Sequence, residues 1–293
     1  MHTQIFGSNN RGGIVGLFID GNGEHGFLRD ATGAYTTIDI PTARSTQLFG
    51  INDSGQIAGT FVDSNFVAHS LLVDGSRSVS FDPPSADRSE GLGLNNDGLL
   101  VGSFVSTTGL HGYLFDGSTF TTIDVPGASG TSIAGINDNG QIVGLFNDPT
   151  ATNHGFLKTG STFTTIDFPG AIQTQVHGIN KSGLIVGDFS NATGFHGYLT
   201  DGSSFTTVDI PGSISTFARG INDAGQIVGT FRDQSQMLHG FIATPMSAPV
   251  RAPVPEPSTI TLLGVGLTGL VLSVRSGLKS EIAGSSFKRS AER

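Results

Sequence analysis

Histidine recurs at regular intervals along this 293-residue chain, and imidazole is the side chain best suited to proton transfer or metal binding near neutral pH. Each repeated histidine heads a triplet that reads His-Gly-Phe or His-Gly-Tyr in most cases and His-Ser-Leu in the second. The six positions are His25, His69, His111, His154, His196 and His239. Two chemistries follow from such a set: a shared metal centre, or repeated pairing of each histidine with a nearby carboxylate.

A shared metal centre conflicts with the geometry of a repeat array. Equivalent residues lie on a wide circle, too far apart for Zn–N bonds of about 2.0–2.1 Å to a single ion. We therefore expect no metal and no cofactor. Instead, each histidine should be mostly buried and should bond a carboxylate or backbone group of its own repeat. The candidate carboxylates recur near the end of the repeat, at Asp39, Asp82, Asp124, Asp167 and Asp209.

A second repeated feature is the ten-residue frame GINDNGQIVG, which starts at Gly135. The first glycines of its copies are spaced by 43, 43, 42, 43 and 42 residues, in the range of four-stranded propeller blades. Within the frame, the asparagine can bond its own turn backbone, and the second glycine, such as Gly140, can adopt the positive φ of a hairpin turn. The asparagines are Asn52, Asn95, Asn137, Asn180 and Asn222, with a looser copy of the frame from Gly7. The motif therefore predicts a hairpin corner.

Composition supports strands rather than helices. Charged residues make up 13% of the chain, and there are 43 glycines and no cysteine. Up to residue 250, nine Lys or Arg oppose twenty-one Asp or Glu, a net charge of −12 that disfavours nucleic acid as a partner. The predicted fold is all-β: residues 1–245 form a six-unit β-propeller of four-stranded blades. A solenoid of β-units is the alternative, but a closed ring better suits repeats that lack polar caps.

The last predicted blade is incomplete, because no copy of the fourth-strand sequence FTTIDVP follows HGFIATP, which ends at Pro245. We expect codons upstream of Met1 to supply that strand, together with the signal peptide that the N-terminus lacks. The triplets led by histidine resemble the HAF repeat of bacterial extracellular proteins, over roughly residues 4–244. The resemblance implies a secreted repeat protein and no known reaction.

The C-terminal region changes character. Residues 246–257 form a proline-rich linker, and residues 258–274 carry no charge, which predicts a single transmembrane helix over 258–275 followed by a basic cytoplasmic tail, 276–293. The order of these elements resembles the PEP-CTERM sorting signal of Gram-negative bacteria. The matching residues are Val254, Pro255, Glu256, Pro257, Ser258 and Arg275. The resemblance implies export, transient retention in the inner membrane, processing by an exosortase-type membrane peptidase, and delivery to the cell surface or the exopolysaccharide matrix.

Catalytic motifs are scarce. No nucleophile, phosphate-loop or EF-hand motif is present, and residues that break the repeat, such as His177, are interpreted as surface variation. Tryptophan is absent, and Tyr113 and Tyr198 occupy a repeated, buried Phe position, which disfavours a standard sugar platform. We therefore predict a non-enzymatic surface or matrix protein. The alternatives are a weak multivalent glycan binder and, third, a secreted hydrolase or lyase.

Overall fold

The computed structural model describes residues 2–245 and 272–274. Every regular element in these residues is a β-strand and none is a helix, so the prediction of an all-β fold is confirmed. In chain order the strands are β1 (His2–Ser8), β2 (Ile14–Asp20), β3 (Gly23–Arg29), β4 (Tyr35–Ile38), β5 (Ser45–Ile51), β6 (Ile57–Val62), β7 (Ala68–Asp74), β8 (Arg77–Phe81), β9 (Arg88–Leu94), β10 (Leu100–Ser106), β11 (Gly109–Phe115), β12 (Phe120–Ile123), β13 (Gly130–Ile136), β14 (Ile142–Asn147), β15 (Asn153–Thr159), β16 (Thr162–Ile166), β17 (Gln173–Ile179), β18 (Ile185–Asn191), β19 (Gly194–Thr200), β20 (Phe205–Val208), β21 (Ser215–Ile221), β22 (Ile227–Arg232), β23 (Leu238–Pro245) and β24 (Leu272–Val274).

Consecutive strands pair in antiparallel meanders of four. Four of the meanders are separate sheets, and they consist of β9 to β12, β13 to β16, β17 to β20 and β21 to β24. The first two meanders, β1 to β4 and β5 to β8, are joined into one eight-stranded sheet by a single parallel bridge between Glu24 and Ser45. The first strand of each meander lines a common central channel. The arrangement is propeller-like, as the sequence predicts.

The turn that follows each first strand has the predicted geometry. In the fourth unit, the N–H of Gly140 donates to the carbonyl of Asn137, and Gly140 adopts a φ of 73°. Asn137 Oδ1 accepts from the backbone N–H groups of Asn139 and Gln141, which fixes the turn. Positive φ recurs at the equivalent glycines, which are Gly12, Gly55, Gly98, Gly183 and Gly225. The prediction of a hairpin corner is confirmed.

The core lies between neighbouring units. Val15 of the first unit packs with Leu48 and Ile57 of the second, and Val228 of the last unit packs with Ile5 and Phe27 of the first. Each meander therefore buries both of its faces against its neighbours, which is why the second strands are apolar on both sides. Tyr113 and Tyr198 are fully buried, as predicted, and burial raises the pKa of both phenols.

The outer edge of the last meander is occupied by β24, whose residues 272–274 pair with Ala243, Thr244 and Pro245 of β23. The sequence predicts that a segment upstream of Met1 covers this edge. The structure instead places a C-terminal strand there, and this strand pairs with the backbone N–H and C=O groups that β23 would leave free as an edge strand. The predicted helix over 258–275 lies outside the described residues except for 272–274, which are strand rather than helix. In the described part of the chain, no helix is long and apolar enough to cross a membrane. Residues 254–258 and Arg275 lie outside it.

Candidate functional site

An aspartate braces the repeated histidine in five of the six units. The Nδ1 atom of the histidine lies 2.8 Å from Oδ2 of the aspartate that follows the fourth strand. The pairs are His25–Asp39, His69–Asp82, His111–Asp124, His154–Asp167 and His196–Asp209. A phenylalanine of the second strand packs on each of the six imidazoles, with ring centroids 5.1–5.2 Å apart. In these five units, the histidine thus links the third strand to the segment that follows the fourth.

The histidines are mostly buried, with between 20% and 25% of each side chain exposed. Near the loops at the end of the unit, His111 Nε2 bonds Thr108 at 2.8 Å, and the buried His25 Nε2 lies 3.3 Å from Asp20. His239 has no fourth-strand aspartate, and its Nε2 instead lies 2.8 Å from Asp233 Oδ2. Among residues 2–245 and 272–274, no group of three or more His, Cys, Asp or Glu is arranged to hold a metal ion.

The repeated asparagines join the units into a ring. Each side-chain Nδ2 donates to the backbone carbonyl of the equivalent asparagine in the next unit. The six bonds run Asn9 to Asn52 (2.9 Å), Asn52 to Asn95 (3.1 Å), Asn95 to Asn137 (3.3 Å), Asn137 to Asn180 (2.9 Å), Asn180 to Asn222 (3.2 Å) and Asn222 to Asn9 (3.2 Å). One asparagine therefore does two things: its oxygen closes the turn and its nitrogen links neighbouring units.

The first glycine of each frame lets the six inner strands approach one another. A Cβ on Gly220 would lie 2.5 Å from the carbonyl oxygen of Phe6 and 3.3 Å from Cα of Gly7. At every one of these glycines a Cβ would lie within 3.1–3.5 Å of the next glycine's Cα. The six glycines are Gly7, Gly50, Gly93, Gly135, Gly178 and Gly220. A larger residue would push the strands apart and widen the ring.

The residue before each of these glycines sits on a β-bulge. In β17, Val176 pairs with Gly187 and Gly178 pairs with Val186, so His177 has no residue opposite it. A bulge interrupts strand alternation and redirects a side chain. The same shift occurs in all six first strands, at Phe6, Phe49, Leu92, Ala134, His177 and Arg219. These six side chains line a cavity of about 240 Å³ in the central channel.

The cavity has one apolar and one polar wall. Phe6 and Phe49 have ring centroids 4.9 Å apart and form the apolar wall with Leu92. Beside the short side chain of Ala134, the cavity extends to Ser132 and Leu145 of the same unit. His177 and Arg219 form the polar wall. His177 is not surface variation, as its break with the repeat suggests, because the bulge directs it into the channel.

A buried carboxylate stands behind the polar wall. Asp188, whose side chain is 2% exposed, lies on β18 with Oδ1 2.6 Å from His177 Nε2 and 3.5 Å from Arg219 Nη1. Arg219 Nη1 lies 2.7 Å from His177 Nε2 and 3.4 Å from His177 Nδ1. Burial lowers the pKa of His177, the charge of Arg219 lowers it further, and Asp188 opposes both. The pKa of His177 is therefore lowered overall, and His177 is neutral at pH 7.

The neutral imidazole limits the hydrogen-bond roles at this wall. One nitrogen cannot donate to Asp188 and accept from Arg219 at the same time. Asp188 Oδ1 at 2.6 Å and Arg219 Nη1 at 2.7 Å therefore compete for Nε2, and Arg219 Nη1 also lies 3.4 Å from Nδ1. The three side chains then carry one negative and one positive charge. Such a wall can orient a polar ligand without adding net charge to the channel.

A second ring of polar residues stands at the mouth of the channel where the asparagine turns lie. Backbone N–H groups there donate to the side chain of the equivalent residue in the next unit, as from Asn10 to Asp53 at 2.8 Å and from Asp223 to Asn10 at 2.8 Å. The ring members are Asn10, Asp53, Asn96, Asp138, Lys181 and Asp223. With three carboxylates and one ammonium group, this mouth is acidic.

Sequence reasoning missed Asp188 and Arg219. A signal was present: the residue before the repeated glycine varies from Phe to Leu, Ala, His and Arg while the glycine itself stays fixed. Asp188 likewise replaces an apolar or hydroxyl residue, the equivalents being Leu17, Thr60, Ser103, Leu145 and Thr230. His177 and Arg219 are 42 residues apart, one repeat length, which places them on neighbouring inner strands.

Comparison with known families identifies the C-terminal signal. The PEP-CTERM protein-sorting motif matches residues 253–276. This motif implies an exported protein that is sorted by an exosortase and is transiently anchored in the membrane before processing. A search of curated proteins finds no significant match to the chain.

Solved structures with a similar fold have unrelated sequences. The lectin of Aleuria aurantia, a fungal lectin described as a six-bladed β-propeller with a novel mode of fucose recognition, is 13% identical, with a TM-score of 0.52, and the alignment covers 82% of this chain and 90% of the lectin. The β-propeller domain of the Trilobed protease from Pyrococcus furiosus, described as having an open velcro topology, is 12% identical, with a TM-score of 0.53 and coverage of 83% and 95%. TolB from Acinetobacter baumannii is 11% identical, with a TM-score of 0.59 and coverage of 72% and 54%. These similarities support the propeller fold alone.

Proposed function

We propose that this chain is an exported, non-enzymatic surface or extracellular-matrix protein, a six-bladed propeller that an exosortase-type peptidase releases from the inner membrane. The observation that carries the proposal is the sorting motif at residues 253–276, placed directly after the ring of repeats. The HAF-type character of the repeats and the transmembrane helix over 258–275 are parts of the same proposal. Delivery to exopolysaccharide is its last step.

The uses of the repeated polar residues support a structural role. The asparagines bond the next unit, and the histidines bond aspartates of their own unit, so these side chains stabilise the ring rather than converge on one reacting atom. Catalysis by a propeller requires unrepeated groups at one place in the channel. The unrepeated His177 is neutral and lies within hydrogen-bond distance of both Asp188 and Arg219, which favours ligand positioning over proton transfer.

The sorting step can be tested with the full-length chain fused to a working signal peptide and an epitope at each end. In cells that contain an exosortase, the C-terminal epitope should be lost while the N-terminal one reaches the surface fraction. Glu256→Ala should block this loss, and Arg251→Ala, which lies just outside the matched residues, should leave it unchanged. An intact C-terminus in the unsubstituted chain would show that the sorting proposal is wrong.

Glycan binding is a second candidate, favoured by the fold shared with a fucose-binding lectin. Six similar units would offer several weak sites, and linked weak sites can bind a polymer with high avidity. A glycan array probed with the full-length chain tests this candidate. Retention on a polysaccharide together with weak binding of single sugars would support it, and no retention at all would reject it.

A further inference from the structure

One edge of the Arg219 guanidinium is unused. Nη1 contacts His177 and Asp188, whereas Nε is buried with no partner in the described residues and Nη2 has no hydrogen bond to them either. Because Nε is enclosed by the protein, Nη2 is the donor group left for a ligand, and a guanidinium N–H forms a strong hydrogen bond with a carboxylate. The guanidinium is held in place, because its Cζ also lies 5.1 Å from the Phe217 ring centroid. Nη2 is therefore a pre-oriented donor for an anion in the cavity that Arg219 lines.

The opposite wall suits an apolar or ring-shaped group. Phe6, Phe49 and Leu92 face the same cavity as Arg219, and the space beside Ala134 enlarges it. Aromatic side chains bind the faces of flat or saturated rings through dispersion and apolar contact. At about 240 Å³ the cavity is below the roughly 300–1,000 Å³ typical of sites for drug-sized ligands. Its size therefore limits the ligand to about one ring.

We propose that the central cavity binds a small molecule that carries a carboxylate on a ring, with the carboxylate on Arg219 and the ring against Phe6 and Phe49. Asp188 balances part of the Arg219 charge, so the orientation of the guanidinium, rather than long-range attraction, gives the selectivity. The His177 ring, which contacts Nη1, helps to hold Arg219 in that orientation.

Two sources share this chemistry: a sugar acid from a polysaccharide, and a free aromatic or alicyclic acid. The test titrates the full-length chain at neutral pH with glucuronate and with benzoate, and with glucose and benzyl alcohol as their uncharged counterparts, by calorimetry. At least one acid should bind tenfold or more tightly than its counterpart, and the tighter acid identifies the source. If neither acid binds more tightly than its uncharged counterpart, the proposal is overturned.

Three variants locate the site. Arg219→Gln should weaken binding of the acid at least tenfold, whereas Arg232→Gln, an arginine of the same unit outside the cavity, should not change it. Ala134→Phe should abolish binding by filling the cavity, and the fold should accept it because Phe6 and Phe49 occupy the equivalent bulges. Unchanged binding in a folded Ala134→Phe variant would place the ligand elsewhere and reject the cavity. None of these results depends on export or processing.

Discussion

Asn222 donates its side-chain Nδ2 to the backbone carbonyl of Asn9 at 3.2 Å, across 213 residues of sequence. The same bond links every other neighbouring pair of units, so the contact that closes the ring is equivalent to those inside it. Asp223 repeats the closure with its N–H on Asn10 Oδ1 at 2.8 Å. The first and last units therefore meet as any two neighbours do, and the ring has no weak junction at this layer.

Replacing the ring asparagine by aspartate separates its two roles. In Asn222→Asp the turn keeps its acceptor oxygen, but a carboxylate oxygen replaces the Nδ2 donor and faces the carbonyl of Asn9. A buried acceptor left without a donor costs about 1–3 kcal/mol, so the free energy of unfolding should fall by that amount. Asn95→Asp, at an internal junction, should cost the same. Denaturant unfolding measures the free energy of unfolding of both variants. If Asn222→Asp leaves it unchanged while Asn95→Asp lowers it, the ring is open between its ends.

The two kinds of repeated glycine should respond differently to substitution. Gly220→Ala places a Cβ 2.5 Å from a backbone oxygen of the neighbouring unit, and relief requires the strands to separate, which costs about 1–3 kcal/mol. Gly140 adopts positive φ in open space, and asparagine tolerates that conformation, so Gly140→Asn should cost less. The melting temperatures of the two variants show which substitution destabilises the protein more. Equal losses would show that close approach does not explain the inner glycines.

The sequence predicts the fold well because one ten-residue motif recurs six times at nearly constant spacing. The spacing of Gly7, Gly50 and their equivalents predicts the repeat, and the turn asparagine and glycine predict the corner. The channel was not predictable in the same way, since strand alternation alone does not show that Phe6 or His177 lies on a bulge. A one-residue bulge redirects a side chain without changing composition or period. Its trace is the variable residue before a fixed glycine, and only the structure shows that this residue faces the channel.

Two histidines should give opposite changes of stability with pH. Burial lowers the pKa of His25, but the hydrogen bond and charge of Asp39, and then of Asp20, outweigh burial and raise it above the ordinary value. The pKa of His177 is lowered by burial and by Arg219 despite Asp188. A histidine with a raised pKa stabilises the fold below about pH 6.5, and this stabilisation is lost as the pH rises through the pKa of that histidine in the folded state. A lowered pKa destabilises the fold as the pH falls below about 6.5.

His25→Gln should therefore lose more stability relative to the unsubstituted chain at pH 5.5 than at pH 8. His177→Gln should show the reverse trend, with a smaller loss, or a gain, at the lower pH. Urea unfolding at the two pH values compares the chains, and the slope with pH is the readout that distinguishes titration from lost packing. Parallel pH profiles for all three chains would contradict the assigned protonation states.

The last prediction concerns the pairing of β24 with β23. Processing near residues 253–257 would remove residues 272–274, and with them the hydrogen bonds to Ala243, Thr244 and Pro245. A chain that ends at residue 257 should therefore keep its ring, because the inner three strands of the last unit and the asparagine bonds remain. The N–H groups of neighbouring strand residues point to opposite sides, so hydrogen exchange should become faster at whichever of Ala243 and Thr244 has its amide facing β24. The amide of Thr200, the equivalent of Ala243 in a strand covered by β20, serves as the matched control and should not change. Identical exchange at Ala243 and Thr244 in the full and shortened chains would show that β24 does not cover this edge in solution.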